Sequence, residues 1–336
     1  MTGQMATSTS TISLLVFGRT SHQYLVSVPS RLSKSITDDF IAGHRYFGFG
    51  GLAVDLKKPG TIMVASLNSW YPDGRIWRST NSGATWSSLW EQVDDSNLNK
   101  YYSWDISLAP WLSSFVKGSQ VGWMMEALVI DPFDSDHWLY GTGTTIWGGH
   151  DLTNWDADHN ITLKSLADGI EETAVLALIS PPSGPNLFSG VSDVGGFAHI
   201  DLDKVPSSAY SNPTFGATAS LDYAGNKPRN VVSSHYDVVI LNLNDVQVRI
   251  GNSKDSATRQ IALSYDSGAS WSQDYDAALG AFGGIVAISA DADTLLWRDA
   301  GTNTVKYSRR SSAFTASINV PTGATIASDK KVKSPF

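Results

Sequence analysis

Cysteine is absent from the 336 residues, which excludes a disulfide framework and thiolate metal sites while leaving the compartment open. Charge is sparse as well. Charged side chains make up 17%, the net charge is -8, and no basic block or arginine-rich stripe occurs, so no nucleic-acid partner is expected. An acidic chain with so few charges suits a neutral ligand. The histidines at positions 22, 44, 137, 150, 159, 199 and 235 form no HExxH or comparable pairing, so neither a metal site nor a cofactor is expected. No run is apolar for long enough to span a bilayer, and none is expected to meet a membrane. The apolar patch at residues 12–17 is short and lacks a basic flank, so no signal peptide is expected. Helical periodicity is nowhere sustained, and an all-β chain is the expectation.

Aromatic residues are what the chain has in plenty, with twelve each of Trp, Tyr and Phe. Such side chains fill β layers, and flat rings also stack on sugars. The first 35 residues are Ser/Thr-rich without a clear period, which reads as a poorly ordered stretch or a strand remnant. From Tyr46 onward a unit of strand, tight polar turn and strand recurs. It is seen at residues 46–67, again where LVIDPFDSDH leads to WLYG at 128–141, and again at 176–190 and 286–297.

A second repeat is interleaved with the first. Ser79-Thr-Asn81-Ser-Gly83-Ala-Thr85-Trp86 and Ser264-Tyr-Asp266-Ser-Gly268-Ala-Ser270-Trp271 share the Asp-box pattern S-x-[DN]-x-G-x-[ST]-W. Its logic is a hairpin tip: the Asp or Asn side chain binds turn amides, Gly takes positive φ, and the Trp folds back as an apolar peg. Worn copies are read at 307–314 and 146–155. Short strands and turns repeating every few tens of residues point to β-propeller blades.

The stretch at 187–203, LFSGVSDVGGFAHIDLD, is the strongest chemical signal. A strand delivers Asp193 at its tip, and Gly195 and Gly196 remove side-chain bulk just beyond it, where backbone could pass close to a ligand. Val191, Val194 and Phe197 are expected to surround the acid with apolar surface that disfavours ionisation. The competing reading of these residues is a turn aspartate capping its own backbone.

Several longer phrases carry a family resemblance: YFGFGGLAVD (46–55), GWMMEALVIDPFDSDHWLYGTG (122–143), DLTNWD (151–156), EETAVLALISPPSGP (171–185), SDVGGF (192–197) and NPTF (212–215). With the Asp-boxes they make residues 36–336 resemble glycoside hydrolase family 74, the xyloglucanases and reducing-end-specific oligoxyloglucan cellobiohydrolases. The resemblance implies parts of two tandem seven-bladed propellers, with closing blades of the first at 36–165 and opening blades of the second at 166–336. It implies inverting hydrolysis of the β-1,4-glucan backbone of xyloglucan by two aspartates, and it carries the general-acid role onto Asp193. It also implies an extracellular, monomeric full-length enzyme.

No second D-[IV]-G-G phrase exists in the chain, so the expectation is half of the machinery and no competent hydrolysis by these 336 residues alone. Trp70, Tyr71, Trp123 and Met124 fall where the family lines its cleft and, with Trp147 as a further candidate, are candidate sugar contacts beside Gly195 and Gly196. Each aromatic could instead pack between blades. Residues 232–247 interrupt a family phrase and read as an intron translated in frame or as a surface insertion. A non-catalytic glycan-binding propeller is the alternative function. A sialidase is set aside because arginine is sparse and scattered.

Overall fold

The computed structural model describes residues 13–17, 23–27, 48–94, 97–116, 118–226, 247–252, 261–272, 284–300, 302–309 and 314–331. They fall into two compact units, Met1–Leu108 with Gly118–Gly169, and Ala109–Lys117 with Ile170–Phe336. The sequence reading drew its boundary between residues 165 and 166. Residues 232–246 of the suspected insertion, and residues 310–313 of one worn Asp-box, lie outside the described residues.

In the first unit β1 (Ser13–Phe17) and β2 (Gln23–Ser27) pair antiparallel within the stretch read as a strand remnant. A four-stranded sheet follows, with β3 (Phe49–Val54), β4 (Ile62–Ser66), β5 (Ile76–Ser79) and β6 (Ser87–Ser88) in sequence order. All five residues of β4, IMVAS, are buried, the pattern of a strand covered on both faces. The turn before it is built by Asp55, whose Oδ1 accepts the amides of Lys57 and Lys58 at 2.9 and 3.0 Å.

The next sheet holds β10 (Leu128–Asp131), β11 (Asp134–Gly141), β12 (Ile146–His150) and β13 (Ile161–Ser165), and alternation along β11 puts Trp138 and Tyr140 inside. The earlier strand β9 (Tyr102–Asp105) closes this sheet by pairing parallel to β13. A two-stranded ribbon, β7 (Trp90–Gln92) with β8 (Leu98–Lys100), completes the unit's strands. The only described helices are single turns, α1 (Leu112–Phe115) and α2 (Asn154–Asp158). No described helix is long and apolar enough to cross a membrane.

The second unit repeats the sheet motif three times. Its sheets are β14 (Val175–Ile179), β15 (Leu187–Val191) and β16 (Gly195–His199); then β17 (Ala217–Tyr223), β18 (Gln247–Asn252) and β19 (Ile261–Ser264); then β20 (Gly284–Ile288), β21 (Thr294–Asp299), β22 (Thr304–Arg309) and β23 (Thr315–Asn319). Phe188, Phe215, Leu221 and Trp271 share one apolar cluster, and Val248, Leu263, Ile288 and Trp297 another. Each cluster draws on more than one sheet, so side-chain packing as well as hydrogen bonding joins neighbouring sheets.

The two S-x-[DN]-x-G-x-[ST]-W turns are built alike. Ser79 Oγ donates to Asn81 Oδ1 and accepts the Gly83 amide, and Ser264 Oγ does the same with Asp266 and Gly268. Asn81 and Asp266 then accept the amides of Thr85 and Ser270, both at 2.8 Å. Gly268 has φ +81°, and a Cβ there would lie 2.2 Å from the Phe188 ring, so glycine is required twice over.

Candidate functional site

Asp193 sits at the tip of the β15–β16 hairpin. The neighbours on either side are tied down: the Ser192 amide donates to Ala174 O at 3.0 Å, Ser192 bridges to Ala217, and the Val194 amide folds back onto Ser192 O at 2.8 Å. That last bond closes a three-residue turn around Asp193, whose φ of 67° lies in the left-handed region. A non-glycine residue held there stores on the order of 1–3 kcal/mol of strain. The strain comes with display, because Asp193 is exposed. This corrects the expected apolar collar: Val191 is buried beneath the turn and Val194 and Phe197 are half-buried, so within its unit the carboxyl faces solvent.

The two glycines that follow are constrained by protein backbone. A Cβ on Gly196 would stand 2.0 Å from Ser189 O and 2.7 Å from the Tyr210 ring; one on Gly195 would stand 2.9 Å from Phe215 O. Both glycines are buried, so their lack of side chains serves the hairpin's own packing and not the close approach of a ligand for which they were singled out. Two contacts brace the hairpin further. Ser189 Oγ lies 2.9 Å from His199 Nε2, burial lowering the imidazole's affinity for a proton, and Trp111, on the segment that clusters with this unit, meets the Phe197 ring edge-on at 5.8 Å.

The aromatic candidates are in the first unit and divide sharply. Trp70 and Trp123 stack at 5.1 Å with 29° between planes, and Trp70 and Tyr71 are each 58% exposed. Met124 beside them is half exposed, with its backbone left-handed at φ 59°. Trp147 departs from the expectation. It is 2% exposed, stacks on Trp104 at 5.6 Å and donates from Nε1 to Thr142 Oγ1 at 3.2 Å, so its ring belongs to the interior and offers no face to a sugar. The alternating inward register of β12 against β11 and β13 places it there.

Beside the stacked pair lies a residue the sequence did not signal. Asp73 is buried, and its carboxylate accepts amides from Gly74 (2.8 Å), Gly122 (3.0 Å) and Val121 (2.8 Å) with the Tyr102 hydroxyl at 3.3 Å. Burial pushes its carboxyl up to about 6, outweighing the opposite pull of those amides and of the Lys100 charge. Tyr102 is raised in turn by burial and by the Asp73 charge. Among the described residues no group of three or more His, Cys, Asp or Glu is placed to hold a metal ion.

Comparison with known proteins gives these geometries a family. No protein-family model matches the chain. A xyloglucanase of Hypocrea jecorina is 46% identical over 305 residues, 87% of this chain and 34% of that protein. A xyloglucanase of a Paenibacillus species is 41% identical over 301 residues, 87% of this chain and 28% of that one. The crystal structure of the GH74 xyloglucanase from Xanthomonas campestris superposes with a TM-score of 0.67 at 26% identity, covering 84% of this chain and 36% of that chain. The chain thus spans about a third of the length of the relatives it matches. Its sheets are β-propeller blades, and by this sequence and structural likeness the chain belongs to glycoside hydrolase family 74.

Proposed function

We propose that the chain serves a glycoside hydrolase that cleaves the β-1,4-glucan backbone of xyloglucan with inversion, and that Asp193 is its general acid. The observation that carries this is the turn at Asp193: an exposed carboxyl in a strained conformation, clamped by its neighbours at a hairpin tip, in a chain 46% identical to a xyloglucanase. Strain of this kind persists where a group must be held in one place. A glucan chain lying over the turn would bring its glycosidic oxygen within reach of the carboxyl. The proton then passes to the leaving glycosidic oxygen as the bond to the anomeric carbon breaks.

Inversion also requires a carboxylate base about 6.5–9.5 Å from the acid, with a water between. We assign that base to no residue of this chain, and hydrolysis by these 336 residues alone is not part of the proposal. Trp70, Trp123, Tyr71 and Met124 are the sugar-contacting surface in this reading. A flat aromatic removes the C–H face of a glucose unit from water without needing a charge.

The test is Asp193→Asn in the full-length enzyme. Xyloglucan hydrolysis should fall by at least about 10²-fold while oligosaccharide affinity stays within a factor of about two. Ordinary turnover by the variant would sink the assignment. Binding without turnover in the unsubstituted enzyme would favour the glycan-binding propeller instead.

A further inference from the structure

Two loops carry the stacked aromatic pair. Trp70 stands on residues 68–75, between β4 and β5, and Trp123 on residues 118–127, before β10. Neither loop has regular structure to fix it, yet the two indoles keep a defined offset stack. We propose that Asp73 is the positioning residue of this surface: its buried carboxylate laces one loop to the other and so sets Trp70 against Trp123. The inference rests on the reading of Trp70 and Trp123 as a sugar-contacting surface.

The geometry is specific. Oδ1 takes the amide of Gly74 from its own loop and that of Gly122 from the other; Oδ2 takes the amide of Val121 and the hydroxyl of Tyr102. Four donors thus meet an ionised carboxylate, which has acceptor sites only. Asp73 lies three positions from Trp70, and Val121 and Gly122 lie within two of Trp123. Around this centre one backbone bond and two side-chain hydroxyls add to the lacing. The Met125 amide donates to Leu67 O at 2.9 Å, Ser69 Oγ to Asp73 O at 2.9 Å, and Tyr140 Oη to Val121 O at 3.1 Å. A Cβ on Gly74 would fall 1.8 Å from Gly122 O, so the loops touch with no room between them.

A second observation points the same way. Met124, next to Trp123, is held left-handed at φ 59°, a conformation that persists only where the surroundings impose it. The amides at 121, 122 and 125 are all pinned to the Trp70 loop or its strand, and they bracket that residue. Burial of a carboxylate with no cation in its hydrogen-bond shell is costly, and a neutral amide would avoid the cost. Asparagine cannot replace it, because its NH2 would confront at least one of the four donors. The carboxylate is therefore suited to gathering amides from two segments, which is what fixing the indoles requires.

The experiment uses the chain as it stands. Stacked indoles give an exciton couplet in circular dichroism, and subtraction of the Trp70→Phe spectrum assigns the part owed to this pair. Asp73→Asn should remove at least about half of that couplet and weaken binding of a xyloglucan oligosaccharide roughly five- to tenfold, with the far-UV spectrum unchanged. Asp73→Glu, which keeps an acceptor-only group, should retain more of both signals than Asp73→Asn.

A folded Asp73→Asn protein with the wild-type couplet overturns the proposal. Where Asp73→Asn fails to fold, hydrogen exchange in the unsubstituted chain decides. Val121 and Gly122 amides protected as well as that of Met125 support the clamp, and exchange at open-loop rates overturns it. A wild-type chain that binds no oligosaccharide, yet loses its couplet on Asp73→Asn, supports the clamp while removing the sugar-surface reading on which its purpose rests.

Discussion

The guanidinium of Arg78 grips the carboxylate of Asp156 with two bonds, Nε to Oδ1 at 2.7 Å and Nη2 to Oδ2 at 2.8 Å, and the arginine side chain is 1% exposed. The pair ties the end of β5 to α2, where Trp155 adds a bond from its indole to Ser87 Oγ at 2.8 Å. Such a pair contributes little over an apolar replacement, but removing one partner strands a buried charge. Asp156→Ala should therefore lower unfolding free energy by about 3 kcal/mol or more, read by denaturant titration. A loss within the error of the measurement would mean that Arg78 finds water or another acceptor.

The hairpin that displays Asp193 should be intolerant of a methyl group at Gly196. With φ at 134° and Ser189 O only 2.0 Å from the added Cβ, Gly196→Ala forces either strand separation or backbone change. The expected loss is on the order of 3 kcal/mol, with exchange of β15 and β16 amides accelerated before the rest of the unit. Protection unchanged in those strands would contradict the close approach described here.

Acid–base behaviour offers a third check. The Asp73 carboxyl is raised from 3.8 to about 6 chiefly by burial, with Tyr102, Tyr140 and Lys100 the titratable groups around it. The folded chain therefore holds this proton to higher pH than the unfolded chain. Its contribution to stability is present in full below 3.8 and is lost as pH rises through about 6. Subtracting the stability of Asp73→Asn from that of the wild type at several pH values should give a difference that declines between pH 4 and 6 and is flat above 7. A difference that rises across this window would show that the amide bonds outweigh desolvation.

The interruption at 232–247 makes a prediction at the level of the message. On the family resemblance, joining Val231 to Val248 would restore an uninterrupted phrase, and a segment that starts with a valine codon and ends with glutamine fits the GT and AG boundaries of an intron. Spliced transcript should lack those codons. Their presence in mature message would make the segment a genuine insertion.

How much could be read from residue order depends on how local each feature is. The turns at Ser79–Trp86 and Ser264–Trp271 were legible because every bond that builds them joins residues within a few positions: the side chain of Asn81 or Asp266 reaches amides on its own hairpin tip. The strand pattern was legible for the same reason, since alternation and turn residues act along the chain. SDVGGF could be singled out as a tip with an acid and two glycines, and the tip is there.

What sequence could not decide was which face of a ring meets water. Trp70 and Trp147 are the same residue type in similar aromatic company, yet one is 58% exposed and the other 2%. The difference comes from packing with strands distant in sequence, including β9 laid parallel to β13, which no local pattern encodes. Asp73 escaped notice because the donors that join it to the other loop lie forty-eight and forty-nine positions away at Val121 and Gly122. The residue order by itself determined the turns, the strands and the family; the tertiary structure alone decided exposure and the carboxylate clamp, because burial and long-range hydrogen bonds exist only once distant segments have met.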